Sequence, residues 1–193
     1  MGFKAVQLGV WHANDDFFEA VKRSGEIEQL VLVEPFEEHQ QIINDCYKDY
    51  SFELVQKAIV VDDTPEVTMY ISGDNGGFGA VSSTSEQHIK KHGVPVEGSR
   101  QIPAITLPRL LDERGLTEID LMAIDIEGMD QNVITSLDLN KYKIKRIVYE
   151  YIHLNQEEVN SFLVQRGYEQ VQDPLWTSPL DAIYERVDPH GTP

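Results

Sequence analysis

The chain has 193 residues, and its 41% hydrophobic content is enough to bury the core of one domain. Its formal net charge of -17, from 33 acidic against 16 basic residues, opposes binding to nucleic-acid phosphates. The sequence has no apolar run of about 18 residues that could span a membrane, and its start lacks the pattern of a signal peptide. We therefore expect a cytoplasmic protein that binds neither nucleic acid nor membranes.

The first sixty residues alternate between strand and helix patterns. An apolar run over residues 5–10 precedes polar residues 14–16, which can cap a helix that contains Phe17 and Val21. The run 30–33 ends at Glu34 and a proline, a helix fits residues 37–47, and a third strand fits residues 52–61. Because parallel strands need helical crossovers, this order predicts half of a doubly wound parallel sheet.

The middle of the chain interrupts this alternation. Residues 67–71 alternate like an edge strand, and four glycines follow between residues 73 and 79. A helix then fits residues 85–92, and a strand fits residues 102–106. We expect a flexible insertion over about residues 66–101.

Regular alternation resumes in the second half of the chain. Strands fit residues 119–125 and 144–151, and the patterns around residues 107–111, 130–137 and 157–167 indicate helices. Two short strand patterns at residues 168–171 and 181–185 predict a closing antiparallel hairpin. The sequence thus predicts a single α/β domain over residues 1–187, followed by a disordered tail at 188–193.

Polar residues follow several of the predicted strands. In open parallel sheets, ligands bind beyond the carboxyl ends of the strands, at the point where the strand order reverses. The residues that leave the strands toward this edge are Gly9, Trp11, Glu34, Asp125, Glu127, Glu150 and His153. This edge of the sheet is therefore the predicted functional site.

Glu34 stands where an acidic residue can bind a nucleoside. A carboxylate at the end of the second strand can accept hydrogen bonds from both hydroxyls of an adenosyl ribose, and it repels a 2′-phosphate. The alternative is an ordinary solvated glutamate in front of Pro35. Its position in the β-α-β unit favours the binding role.

Asp125 and Glu127 follow an otherwise apolar strand, where a carboxylate is costly unless it is hydrogen-bonded or faces a polar cleft. Asp125 is therefore the strongest catalytic candidate, although either residue could instead cap the helix that begins near Met129. Glu150 and His153 could orient an acceptor hydroxyl or take its proton. A lone histidine is also common at structural and surface positions.

Several other reaction classes lack their motifs in this sequence. We find no metal-ligand spacing of Cys and His, no phosphate-binding loop and no nucleophile elbow, so we expect no metal site. A nicotinamide-dependent oxidoreductase would have a similar sheet, but G-x-G-x-x-G does not follow the first strand.

A series of short segments carries a family resemblance. The most specific is residues 119–130, in which Asp125-Ile126-Glu127-Gly128 follows an apolar strand, and together the segments resemble the FkbM-type methyltransferases. The other segments lie in the same order over nearly the whole chain, at residues 33–35, 57–59, 105–111, 147–150 with His153, and 163–168.

The resemblance implies a fold, a cofactor and a set of site residues. It implies a Rossmann-like, mostly parallel seven-stranded sheet with a reversed C-terminal strand and helices on both faces. It also implies S-adenosylmethionine as methyl donor, S-adenosylhomocysteine as product, and a hydroxyl acceptor on a sugar or small metabolite, in a chain that could also form an oligomer. The implied cofactor residues are Gly9, Trp11, Asp15, Glu34 and Ala58, and the implied catalytic residues are Asp125, Glu127, Glu150 and His153.

The loop after the first strand departs from the family pattern. Members usually have an acidic, glycine-rich loop there, whereas this chain has one glycine, Gly9, followed by Val10-Trp11-His12. Trp11 could stack on the ligand or fill its place. This departure leaves open the alternative of a binding or scaffold protein that has lost methyltransferase activity. A second alternative is a metal-assisted methyltransferase, in which Asp125, Glu127 and Glu150 bind Mg²⁺.

Overall fold

The computed structural model describes residues 2–73, 80–152 and 154–187. The strands are β1 (Phe3–Leu8), β2 (Ile27–Val33), β3 (Glu53–Val55), β4 (Ala58–Val60), β5 (Glu66–Ser72), β6 (Val96–Thr106), β7 (Glu118–Ile124), β8 (Lys143–Glu150), β9 (Tyr168–Val171) and β10 (Asp181–Arg186). The helices are α1 (Asp16–Arg23), α2 (Gln40–Cys46), α3 (Glu86–Lys91), α4 (Leu107–Glu113), α5 (Asp130–Ser136) and α6 (Gln156–Val164), with a 3-10 turn at Glu37–His39 before α2.

Seven strands form the main sheet, in the order β3-β2-β1-β7-β8-β10-β9. The first five in this order are parallel, and β10 runs antiparallel to both β8 and β9. This confirms the predicted mostly parallel sheet with a reversed C-terminal strand. The strand order reverses between β1 and β7, so the ends of these two strands border the crevice in which such folds bind ligands.

Helices cover both faces of the main sheet. Alternate residues of β1, such as Val6 and Leu8, join one core with residues of α4, α5 and α6. Ala5, on the opposite face, packs into a second core with residues of α1 and α2, among them Phe17 and Ile43. The nearly continuous apolar runs of the central strands follow from this burial on both sides.

The single strand predicted over residues 52–61 is wrong. The chain forms two short strands there, β3 in the main sheet and β4 in a second sheet. They are separated by a tight bend in which the amide of Lys57 donates to the carbonyl of Val55 at 3.1 Å. Leu54-Val55 and residues 58–60 are apolar, so the pattern resembles one strand despite the polar Gln56-Lys57 between them, but β4 pairs in parallel with β6.

The second sheet has the order β4-β6-β5, with β5 at its edge as predicted. The described part of the predicted insertion over residues 66–101 contains β5, α3 and the first half of β6, which starts earlier than the expected residue 102. Residues 74–79 and the predicted tail at 188–193 lie outside the described residues. In the described parts of the chain, no helix is both long and apolar enough to cross a membrane.

Candidate functional site

The main chains at the ends of β1 and β7 are in direct contact. Gly9 has a φ of 79°, and a Cβ atom at this position would lie 1.7 Å from the carbonyl oxygen of Asp125. The amide of Asp125 donates to the carbonyl of Leu8 at 2.9 Å, and the amide of Gly9 donates to the carbonyl of Val33 at 2.9 Å. Gly9, a predicted cofactor residue, is thus required by the packing of the strand ends.

The loop after Gly9 has unusual backbone geometry. Trp11 and Ala13 have φ angles of 44° and 61°, in the left-handed region that side chains rarely adopt. The ring of Trp11 lies against that of His12, with the two centroids 3.9 Å apart. In this conformation, the ring of Trp11 therefore contacts its neighbour in the chain.

The carboxylate of Glu34 holds this loop in place. It is 4% exposed, and its Oε2 accepts hydrogen bonds from the amides of Val10 at 3.2 Å and Trp11 at 2.9 Å. Its Oε1 accepts from the amide of Phe36 at 3.0 Å and lies 3.1 Å from Nδ1 of His39. The alternative of a solvated glutamate is therefore wrong, and Glu34 binds internal donors at the place predicted for a ribose.

Asp15 and Ala58, the other predicted cofactor residues, lie on different sides of this loop. Asp15 is the N-cap of α1, where it accepts from the amide of Phe18 at 2.8 Å and from Nε2 of Gln7 at 2.6 Å. Burial raises the pKa of Asp15 despite these hydrogen bonds. Ala58 is buried on β4 and borders the cleft beside Glu34.

Two cavities meet at Gly9, Trp11 and Asp125, which line both. The smaller, of about 90 Å³, extends past Glu34 to Ala58 and the second sheet. The larger, of about 490 Å³, lies between α1, the ends of β7 and β8, and residues 176–181. The larger volume is typical of a site for a small molecule.

Carboxylates dominate the wall of the larger cavity. Among its described lining residues there is no Lys or Arg, and the acidic ones are Asp15, Asp16, Glu19, Asp125, Glu150 and Asp181. Trp176, from the loop before β10, donates from Nε1 to the Oδ2 of Asp181 at 2.7 Å. Such a wall attracts cationic groups and repels phosphate.

Asp125, Glu127 and Glu150 come together as the sequence predicted, each with a carboxylate oxygen within 4.8 Å of the others. The Asp125 side chain is exposed to the cavity, yet desolvation by the surrounding protein, together with the charge of Glu127, raises its pKa well above the ordinary value. Desolvation and neighbouring carboxylates also raise the pKa of Glu127 to about 8 and that of Glu150 to about 9. The cluster therefore retains protons at neutral pH.

Asp130, which the sequence analysis did not single out, organises the loop that bears this cluster. It is buried, and it accepts hydrogen bonds from the amides of Ile126 at 3.0 Å and Gly128 at 3.1 Å. Burial raises its pKa to about 6. The N-cap of α5 is Met129, which makes no side-chain capping bond, so the alternative that Asp125 or Glu127 caps this helix is wrong.

Glu127 also contacts α3 and the segment that precedes it. Its φ is 53°, its carbonyl accepts a hydrogen bond from Oγ of Ser83 at 2.6 Å, and its Oε2 lies 2.9 Å from Nε2 of His88. Burial lowers the pKa of His88. The sequence analysis found neither Ser83 nor His88, because both reach the site from the predicted insertion. His153, the remaining predicted catalytic residue, lies outside the described residues.

Comparisons with known proteins agree with this architecture. The family model of the methyltransferase FkbM domain matches residues 6–170. Among solved structures, the chain is similar to the methyltransferase FkbM from Methylobacillus flagellatus KT, with a TM-score of 0.57 and 11% sequence identity. That alignment covers 95% of this chain and 43% of the other, so the chain spans less than half the length of this relative.

Two further solved structures align over most of the chain with lower scores. The ribosomal protein L11 methylase from Lactobacillus delbrueckii subsp. bulgaricus has a TM-score of 0.46 and 10% identity, and the alignment covers 96% of this chain and 70% of the other. An rRNA methylase from Streptococcus thermophilus has a TM-score of 0.43 and 11% identity, with 97% and 88% covered. No curated relative matches the chain at a significant level.

The match over residues 6–170 spans most of the 193 residues, and it includes the end of β1, the Asp125 loop and β8. The resemblance found in the sequence is thereby confirmed, and the chain belongs to the FkbM methyltransferase family.

Proposed function

We propose that this methyltransferase-family chain transfers a methyl group from S-adenosylmethionine to a hydroxyl of a neutral sugar or other small metabolite. The observation that carries the proposal is the pair of cavities that meet at Gly9 and Asp125, beside the cluster of Asp125, Glu127 and Glu150. In folds of this topology, the crevice at the reversal of strand order is the expected ligand site.

The charge of the site suits this cofactor. S-adenosylmethionine carries a positive sulfonium and a positive ammonium group, which would favour loss of the protons that Asp125 and Glu150 retain and would then pair with the carboxylates of Asp15, Asp125 and Glu150. The residues that would hold it are Gly9, Trp11, Asp15, Glu34 and Ala58. For Glu34 to bind the ribose, its carboxylate would exchange internal amide donors for the ribose hydroxyls.

The protein's part in the reaction is to position the acceptor and remove its proton. Bound S-adenosylmethionine supplies a methyl group that is already activated, so alignment lowers the barrier most. Asp125 and Glu150, which line the larger cavity, would bind the acceptor hydroxyl, and their deprotonated forms, which a bound sulfonium would favour, would accept its proton, with Glu127 and His153 as the further candidates on this side.

The same charges restrict the acceptor. The larger cavity presents carboxylates without a described lysine or arginine in its wall, and the chain has a net charge of -17. A phosphorylated metabolite or a nucleic acid would be repelled from this site. Hydroxyl groups of a neutral acceptor can instead donate hydrogen bonds to the carboxylates.

A second candidate function is binding without catalysis. Two observations favour it: the carboxylate of Glu34 is fully engaged by internal donors, and the cavity beside it measures only about 90 Å³. A chain that kept the fold but lost the cofactor would have these features.

Calorimetric titration of the purified chain with S-adenosylhomocysteine separates the two functions without knowledge of the acceptor. Saturable micromolar binding, about -8 kcal/mol, supports the methyltransferase. Isotope transfer from methyl-labelled S-adenosylmethionine to a panel of neutral sugars and phosphorylated sugars then identifies the acceptor class. If the folded protein does not bind S-adenosylhomocysteine, the result supports a chain that kept the fold but lost the cofactor. Methyl transfer only to phosphorylated sugars would overturn the proposal of a neutral acceptor.

A further inference from the structure

We propose that His88, His92 and Glu127 form a binding site for one Zn²⁺ ion, which goes beyond the proposed methyl transfer. Nε2 of His88 lies 2.9 Å from Oε2 of Glu127, and Nε2 of His92 lies 3.8 Å from the same oxygen. The two Nε2 atoms are 3.1 Å apart. Tetrahedral zinc, with bonds of about 2.0–2.1 Å, places its ligand atoms about 3.3 Å apart, so the three atoms already have suitable spacing.

Several polar atoms converge on Nε2 of His88. A ring nitrogen of histidine offers one position in the ring plane, which is either an N–H donor or a lone pair. Nε2 of His88 has polar atoms of both Glu127 and His92 within hydrogen-bonding distance. A cation between the three atoms would accept a lone pair from each of them.

The two histidines are held by α3 and its surroundings. They are four residues apart, His88 within α3 and His92 at its C-cap, so they share one face of the helix. The His88 ring packs on the backbone of Gly128, where a Cβ atom would lie 2.5 Å from Nδ1. The side chains of His88 and His92 are 6% and 17% exposed, so little reorganisation is needed to bind a metal.

Glu127 is fixed in a conformation that aims it at the histidines. Its φ of 53° is rare for a residue with a side chain and is strained, so other contacts must hold it. Ser83 donates to its carbonyl, and Asp130 binds the amides of the residues on either side of it, Ile126 and Gly128. Positive-φ strain held by such contacts is typical of ligand sites.

The ligand types select zinc. Two imidazoles and one carboxylate form a known zinc ligand set, in which water occupies the fourth position, whereas Mg²⁺ prefers oxygen ligands. The oxygen-only group of Asp125, Glu127 and Glu150 shares Glu127 with the histidine site. A zinc ion on the histidines would join α3 to the loop that bears Asp125, and the test must distinguish the two groups.

The experiment is calorimetric titration of the chelator-treated, dialysed chain with ZnCl₂, together with the visible spectrum of the Co²⁺-loaded protein. We expect one ion per chain, an intense tetrahedral Co²⁺ band, and a rise of about 5 °C in the Tm at an ion concentration about 100 times Kd. His92→Ala should weaken Zn²⁺ binding at least about 100-fold and abolish the Co²⁺ band. His12→Ala, which removes an imidazole from a different loop, should retain both.

Two further measurements keep the test decisive. The Tm of each variant in chelator shows that it is folded, and His88→Gln provides a second variant of the histidine pair. Glu150→Gln should leave Zn²⁺ affinity within a factor of about 3, since Glu150 is not a ligand of the proposed site. The proposal is overturned if the folded wild-type chain does not bind Zn²⁺ saturably. Binding that survives His92→Ala but is lost in Glu150→Gln would overturn it too, because the ion would then lie on the carboxylates.

Discussion

Glu150 and Asp181 lie directly opposite each other in the antiparallel ladder between β8 and β10. Both border the larger cavity, and burial raises the pKa of each carboxyl group. Like charges at opposed positions of a ladder destabilise it. The end of the sheet at which we place the acceptor is therefore a source of electrostatic strain.

Stability of the wild-type chain should consequently fall as the pH rises from about 5 to 9. Glu150 has a pKa of about 9 when folded against an ordinary value of 4.5, so folding retains a proton between these limits. Its contribution to stability is complete below pH 4.5 and is lost as the pH rises toward the folded value. Glu150→Gln removes this titration, and urea unfolding across the range should give a flatter profile.

Glu169→Gln is the matched control for the pH profile. Glu169 also faces an acidic residue, Glu185, across a ladder, but it is exposed to solvent. Its replacement should leave the wild-type pH profile unchanged. Equal flattening by the two substitutions would show that general surface charge, and not the buried pair, sets the pH dependence.

Gly9→Ala should destabilise the chain by about 3 kcal/mol or more, because the new Cβ meets the Asp125 carbonyl and also requires a left-handed φ. Gly25→Ala provides the control, since Gly25 has a φ of 85° with no atom within 4 Å of its Cβ position. That control should cost about 1–2 kcal/mol, the conformational cost alone. If urea denaturation showed the same loss of unfolding free energy for Gly9→Ala and Gly25→Ala, the close contact between the strand ends would not be what requires glycine at position 9.

Glu34→Gln tests whether this carboxylate holds the loop after β1. Glutamine keeps one acceptor oxygen but turns an NH₂ group toward backbone donors, so the amides of Val10 and Trp11, or that of Phe36, lose their partner. We expect a loss of about 2–4 kcal/mol in unfolding free energy and weaker binding of S-adenosylhomocysteine.

Glu37→Gln, at an exposed position in the next turn, should change stability by less than about 0.5 kcal/mol. If Glu34→Gln keeps wild-type stability and loses only ligand affinity, Glu34 acts on the ligand alone and its bonds to the loop are dispensable.

The fold was predictable because its signals are local. Continuous apolar runs such as residues 30–33 and 119–124 indicate strands buried on both faces, and the helices between them imply parallel pairing. The division of residues 52–61 was not predictable in this way. Whether Ala58 joins the main sheet or a second one depends on β6, its pairing partner far along the chain.

The meeting of strand-end residues at the candidate site was also predictable, but the contacts from α3 were not. Strand-end residues such as Asp125 and Glu150 meet because parallel strands present their carboxyl ends at one edge. Ser83 and His88 reach Glu127 only through the tertiary position of α3, which local patterns do not specify. The sequence feature that could have indicated His88 as a site residue is its spacing of four residues from His92 within a predicted helix.

Asp130→Ala tests the support of the loop that bears Asp125 and Glu127. The substitution leaves the amides of Ile126 and Gly128 without their buried acceptor, and each such loss costs about 1–3 kcal/mol. We expect urea unfolding to show a loss of about 2–5 kcal/mol, together with faster hydrogen exchange at these two amides.

Asp138→Ala is a matched control for Asp130, because Asp138 also accepts from two amides, those of Asn140 and Lys141, but at an exposed turn where water can replace it. It should cost less than about 1 kcal/mol. Similar costs for the two variants would mean that burial adds nothing to the role of Asp130. A large cost for Asp130→Ala alone, with rapid exchange confined to its loop, would establish that one buried carboxylate keeps Glu127 in its strained conformation.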